Sequence, residues 1–263
     1  MINHVDDQII QEENAVFSLA AMSVLGDRED QQDTFGFSLR PREGLAVVCD
    51  GMGGYEGGKA ASEAGVGTML EDYASRPDSN ADTMCGAARS ASEAIGRLTD
   101  RGGSPIRAGS TMAAVLIRDR SLQWCSVGDS RAYLQRGDEL VQLTQDQNYL
   151  TVLRERLRAG LIDEQTFSAE LPRGEGLISY LGIGKLELID YSAQPFPLQA
   201  EDRVILMSDG LYKVVPDEEL GRVISNFSNI GEAVGALELK ARKNAKNSNI
   251  NRDNMTVMII KIK

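Results

Sequence analysis

Histidine is almost absent from this chain of 263 residues: the one copy is His4, in a polar N-terminal segment expected to be held loosely. That scarcity excludes a histidine-centred nucleophilic triad, a histidine general base in the core and the usual zinc sites, and leaves carboxylates to carry the chemistry. Cysteine is scarce too. Cys49, Cys85 and Cys125 are odd in number and unevenly spaced, which argues against a disulfide framework and for a reducing compartment. Basic residues are outnumbered, 28 Lys and Arg against 39 Asp and Glu, so the net charge of −11 speaks against nonspecific binding to nucleic acid or anionic membranes. No apolar run approaches the length of a membrane span, and the N-terminus MINHVDDQIIQEEN lacks the basic and apolar regions of a signal peptide. The expectation is a cytoplasmic protein with neither nucleic acid nor membrane as partner. With 42% hydrophobic residues and no internal repeat, low-complexity tract or linker, residues 1–263 read as a single domain, with about 1–14 as a flexible tail.

The most informative stretch is 44–62, GLAVVCDGMGGYEGGKAAS. Its apolar run at 45–49 suits a strand buried on both faces and places Asp50 at the strand end. Gly51, Gly53 and Gly54 then permit close approach to the backbone, and an alanine-rich helix follows to about Tyr73. A carboxylate on a rigid strand beside exposed carbonyls suits a hard cation, although a turn-forming aspartate explains the same residues.

Strands are expected near 16–22, 34–39, 110–117, 122–127, 131–135, 140–143, 204–207 and 256–263, and helices near 81–98, 149–160, 217–225 and 232–246. Gly137 and Asp138 supply a hairpin turn. The aperiodic remainder of 148–190 reads as a surface flap. Asp50 and Asp209 each end an apolar strand and precede glycine, Asp129 follows the run ending at Gly128, and Asp253 precedes the last strand. If these strands share one sandwich, their carboxylates crowd one edge, where at an effective dielectric of about 20 each close pair repels by about 4 kcal/mol. Bound cations relieve such repulsion, and an all-oxygen ligand set points to magnesium or manganese.

These residues resemble the metal-dependent protein phosphatases, the type 2C serine/threonine phosphatases, in their compact bacterial form. The resemblance runs over 16–263. It rests on Gly26, Arg28, Gln31, Gln32 and Asp33; on the DGMGG of Asp50, with Gly58, Ala61 and Ser62; and on Gly109, Ser110 and Thr111. It continues in the GDSRAYL that starts at Gly128, in Leu143, Thr144 and Asp146, in the SDGL that starts at Ser208, and in the RDNMT that starts at Arg252. It implies an α+β fold: a two-sheet antiparallel β sandwich flanked by helices on both sides, in four α-β-β-α layers, with a flap. It implies two Mn or Mg ions at one end of the sandwich, with Asp50 bridging them, the Gly51 carbonyl on one, and Asp209 and Asp253 on the other. Asp129 would join Asp209 around a third, weaker ion. Arg28, Asp33 and Asp50 would be catalytic, with Arg28 gripping the phosphate. The implied reaction is hydrolysis of phosphoserine and phosphothreonine in proteins by a metal-bridging water, without a phosphoenzyme. The implied partners are phosphorylated proteins and an opposing serine/threonine kinase, and the implied state is a monomer. The alternative is an inactive phosphoprotein-binding module with the same fold.

The chain departs from the family at Gln31, at Gln32, at Met52, at Gln147, where histidine is usual, and at Ile178 in the flap. Two decoys remain. Cys125 and Arg131 have the Cys, five residues, Arg spacing of cysteine-dependent phosphatases, but a strand rather than a helix is expected after them, so Cys125 reads as a buried thiol. Gly51 and Gly53 hint at a dinucleotide loop, which Glu56 breaks.

Overall fold

In the computed structural model of the chain, residues 2–3, 8–54, 57–100 and 102–263 are described; His4 lies outside them. Two antiparallel sheets form. The first runs β1 (Ile2–Asn3), β4 (Asp33–Arg40), β5 (Glu43–Gly53), β7 (Met112–Arg118), β8 (Ser121–Val127) and β11 (Asp190–Tyr191), with β6 (Ala108–Ser110) beside β5 and β12 (Phe196–Pro197) beside β8. The second runs β10 (Glu139–Gln142), β9 (Arg131–Arg136), β13 (Arg203–Met207), β14 (Met255–Ile262), β3 (Phe17–Val24) and β2 (Ile10–Glu13).

Both sheets are apolar on both faces because each is covered on both. In β5, Leu45, Val47 and Cys49 join a core with α1 (Gly57–Ser75) and α2 (Ala81–Ile95), while Ala46 and Val48 face the core between the sheets. In β14 the alternation recurs: Met258, Ile260 and Ile262 fill the inter-sheet core, and Met255, Val257 and Ile259 pack under α5 (Asp209–Tyr212), α6 (Asp217–Ser225) and α7 (Ile230–Ser248). Three cores thus separate four layers, helices, sheet, sheet and helices, as expected. Small residues let α1 lie close to the sheet: a Cβ on Gly51 of β5 would stand 2.0 Å from the Gly58 carbonyl oxygen.

Four expectations need correction. Asp50 does not end its strand: β5 runs on to Gly53 by exchanging its neighbour β7 for β6, so that Gly51 pairs with Ser110. Asp209 does not end a strand either; β13 stops at Met207 and Asp209 opens the one-turn α5. Residues 10–13, placed in a loose tail, form an edge strand on β3, a pairing that the polar, exposed Gln11, Glu12 and Glu13 did not announce. The flap holds, beyond α3 (Tyr149–Arg158), a second helix, α4 (Glu164–Glu170), capped by Asp163 accepting from Thr166 N–H. The rest of the flap is fastened where Leu181 exchanges both backbone hydrogen bonds with Ser110, at 2.8 and 3.1 Å.

Candidate active site

At one end of the sandwich the inter-sheet stripe turns polar on strand after strand. Phe37 and Phe35 are followed two residues on by Asp33, Ala46 and Val48 by Asp50, Val204 and Leu206 by Ser208, and Ile260 and Met258 by Thr256. These groups bind each other across the sheets: Ser208 Oγ donates to Asp33 Oδ2 at 2.6 Å and accepts from Thr256 N–H at 2.9 Å, and Thr111 Oγ1 and Ser130 Oγ lie 2.6 Å apart. Period-two alternation read past the apolar run would have found this ring in the sequence.

Asp33 and Asp50 are direct cross-strand partners. Asp50 is clamped through its backbone: its N–H donates to Thr111 Oγ1 at 3.0 Å, and its carbonyl accepts from Thr111 N–H at 2.8 Å and from Ser110 Oγ at 3.0 Å. Burial, then the charges of Asp33, Asp209, Asp129 and Asp253, push its carboxyl well above the usual carboxylate range. Asp33, 2% exposed, is pushed up to about 7 chiefly by burial, against which the Ser208 and Thr256 hydrogen bonds act. Asp129, in the turn before β9, is raised to about 6 by burial and then by Asp209.

Asp253 accepts from Arg28 Nη2 at 2.6 Å through Oδ2 and from Asn254 N–H at 2.8 Å through Oδ1. Asn254, to which the sequence reading gave no role, ties two loops together by accepting from Gln32 N–H and donating to the Leu25 carbonyl, each at 2.8 Å. Asp209 Oδ2 meets Lys213 Nζ at 2.7 Å, and Lys213 reaches on to flap residue Glu175 at 3.1 Å. Burial opposes the charge on Lys213, but these two carboxylates outweigh it and hold the ammonium well above the ordinary lysine range. Lys213 was also missed; its place four residues after Asp209, at the end of a one-turn helix, is the signal.

Asp50 and Asp209 line both of two adjoining clefts. One, of about 600 Å³, also takes in Arg28, Gly51 and Asp253; the other, of about 850 Å³, takes in Asp129, Lys213, Glu175 and Tyr180 beneath the flap. The five expected aspartates and Arg28 therefore share one end of the sandwich. As they stand, no three or more His, Cys, Asp or Glu side chains among the described residues are drawn together tightly enough to hold an ion. The cations of Arg28 and Lys213 stand against Asp253 and Asp209. The donor set still fits a hard cation: it is all oxygen, and Asp33 Oδ1 and Asp209 Oδ1 are buried without a hydrogen-bond partner.

Gln147, at the family's histidine position, fixes the Asp129 turn by accepting from Gly128 N–H at 2.9 Å while its own N–H donates to the Gly128 carbonyl at 2.9 Å. The cysteine decoy fails. Arg131 is held bidentately by Asp146 at 2.9 and 2.7 Å and stacks on Tyr212, and Cys125 is fully buried, its thiol raised by its hydrogen-bonded pairing with Cys85 and by burial.

The chain is similar to several bacterial serine/threonine phosphatases. The serine/threonine phosphatase stp of Listeria innocua is 28% identical over 240 residues, 89% of this chain and 90% of that protein. The Mycobacterium tuberculosis serine/threonine phosphatase PstP/Ppp superposes with a TM-score of 0.78 at 25% identity, over 94% of this chain and 99% of that one. The PstP catalytic domain in complex with two manganese ions gives 0.74, also at 25% identity, over 94% and 98%. The model of the family described as Protein phosphatase 2C matches residues 23–243, and the chain belongs to that family.

Proposed function

We infer that the chain is a metal-dependent protein phosphatase that hydrolyses phosphoserine and phosphothreonine in other proteins. The observation that carries this is the ring of Asp33, Asp50, Asp129, Asp209 and Asp253, assembled from both sheets around adjoining clefts with two buried carboxylate oxygens left unpartnered. Asp50, the Gly51 carbonyl, Asp209 and Asp253 would hold two Mn or Mg ions; the third, weaker one that the resemblance puts at Asp129 and Asp209 would have to share Asp209 with Lys213. When bound, such ions supply a nucleophile from water at neutral pH and neutralise charge building on the phosphoryl oxygens.

The chain's own residues do the rest. Arg28, 60% exposed in its side chain at the cleft rim, offers a guanidinium fork that can leave Asp253 for a phosphate. Asp33, the cross-strand partner of Asp50, ties the sheets together by accepting from Ser208 Oγ, which itself accepts from Thr256 N–H. Thr111 and Ser110 fix the Asp50 backbone. Phosphoproteins made by a serine/threonine kinase are the expected substrates. The proposed setting is a single-domain monomer in the cytoplasm; three free cysteines fit a reducing compartment, and no helix among the described residues is long and apolar enough to cross a membrane.

The test is hydrolysis of a phosphopeptide and of a simple aryl phosphate, with manganese and with excess chelator, by the parent, Asp50→Asn and Cys125→Ser. Turnover should need the metal, fall at least about a hundredfold in Asp50→Asn and persist in Cys125→Ser. Chelator-resistant turnover that vanishes in Cys125→Ser would defeat the reading, and no turnover under any condition would favour a binding module.

A further inference from the structure

Lys213 sits where the phosphatase reading leaves room for a third ion. It is the first residue after α5, and its backbone N–H donates to the Asp209 carbonyl at 3.0 Å, so one helical turn brings its side chain back over Asp209. The neighbouring residue is fixed as well, because the Arg131 guanidinium lies 3.6 Å from the centroid of the Tyr212 ring and Arg131 is itself forked onto Asp146. The ammonium is thereby brought within reach of the cleft carboxylates. It lies 2.7 Å from Asp209 Oδ2 and 3.1 Å from Glu175 Oε2, and it lines the same cleft as Asp129.

The two contacts are unequal. Asp209 is 15% exposed in its side chain, so its pair with Lys213 is screened little; Glu175 is 78% exposed, so its contact is a weak latch that opens readily. Asp209 is divided between two tasks, with Oδ2 on the ammonium and Oδ1 buried and without a partner.

We propose that the Lys213 ammonium is a built-in replacement for a third divalent cation: it occupies the space between Asp209 and the flap residue Glu175, limits the site to two exchangeable metals, and acts as a positioning residue for the flap. A divalent ion approaching Asp129 and Asp209 meets a fixed positive charge already bonded to one of its ligands. The flap, tied on its other side through Leu181 to Ser110, is thereby joined to the carboxylate ring by a cation the protein cannot lose to a chelator.

This inference rests on the metal reading of the site, and one experiment separates the two. Manganese bound per chain is counted by equilibrium dialysis for the parent, Lys213→Met and Lys213→Arg, and hydrogen exchange of the flap amides at 174–183 is followed in chelator, with no metal present. The parent should bind two ions and no more. Lys213→Met, similar in length but uncharged, should bind a third at least about tenfold more tightly than any further ion on the parent, the scale of one removed charge contact, and its flap should exchange faster. Lys213→Arg should behave as the parent. A parent that binds three ions, or a Lys213→Met variant with two ions and an unchanged flap, would overturn the inference while leaving the metal reading intact. A parent that binds none would overturn the metal reading and this inference with it.

Discussion

Asp33→Asn is the most telling perturbation, because it separates the electrostatic cost of the carboxylate ring from its shape. The folded Asp33 carboxyl sits at about 7 against an ordinary 3.8. A folded carboxyl that holds its proton more tightly than the unfolded one costs nothing below pH 3.8; the cost grows as pH rises and is complete above about pH 7. At about 1.4 kcal/mol per pH unit, that cost is about 4 kcal/mol at pH 8 and under about 2 kcal/mol at pH 5. Metal-free parent should therefore lose about 2–3 kcal/mol from this group between pH 5 and pH 8. Asparagine keeps an oxygen to accept from Ser208 Oγ and has no charge to lose, so its variant should escape that loss. For a chain of this length the difference is about 5–10 °C in melting temperature. Thermal melts of both proteins in chelator across this range provide the assay. Saturating manganese should then narrow or reverse the order, since ions at about a hundredfold their dissociation constant add about 2.7 kcal/mol per site to the parent. Parallel pH curves for parent and variant in chelator would refute the reasoning.

Asp253→Asn should melt within about 1 kcal/mol of the parent in chelator, because its exposed pair with Arg28 is worth little, yet gain less from manganese; equal metal-induced shifts would remove Asp253 from the metal site. Arg28→Ala should lower kcat/KM toward a phosphopeptide by about ten- to a hundredfold, the worth of a charged hydrogen bond, with its metal-free melting almost unmoved; unchanged kinetics would return Arg28 to the surface. Gly51→Ala should destabilise the fold by about 1–3 kcal/mol or more, since the new Cβ would stand 2.0 Å from the Gly58 carbonyl oxygen and 2.7 Å from that of Gln32, both backbone atoms; an unshifted melting curve would show that α1 can give way.

What the sequence by itself determined is whatever is written in consecutive residues. The apolar run of β5 announced a strand buried on both faces, that of β14 announced a strand, α6 came at its observed bounds of Asp217–Ser225, and the five aspartates and Arg28 stood in short motifs that need no partner to be read. The tertiary structure alone decided what meets what. Ser208 and Asp33, 175 residues apart, meet because their strands end the same inter-sheet stripe. Asp50 lies within its strand because β6 takes over from β7 beside it, a change of neighbour that leaves no mark on the residues of β5. Ile10–Glu13 became a strand because β3 offered an open edge, and backbone hydrogen bonds to an edge ask almost nothing of side-chain type. Lys213 was one more lysine on a short helix until folding brought Asp209, Asp129 and Glu175 to one cleft; side-chain periodicity records which face a residue takes, whereas the field it experiences is summed over every chain segment that packs nearby.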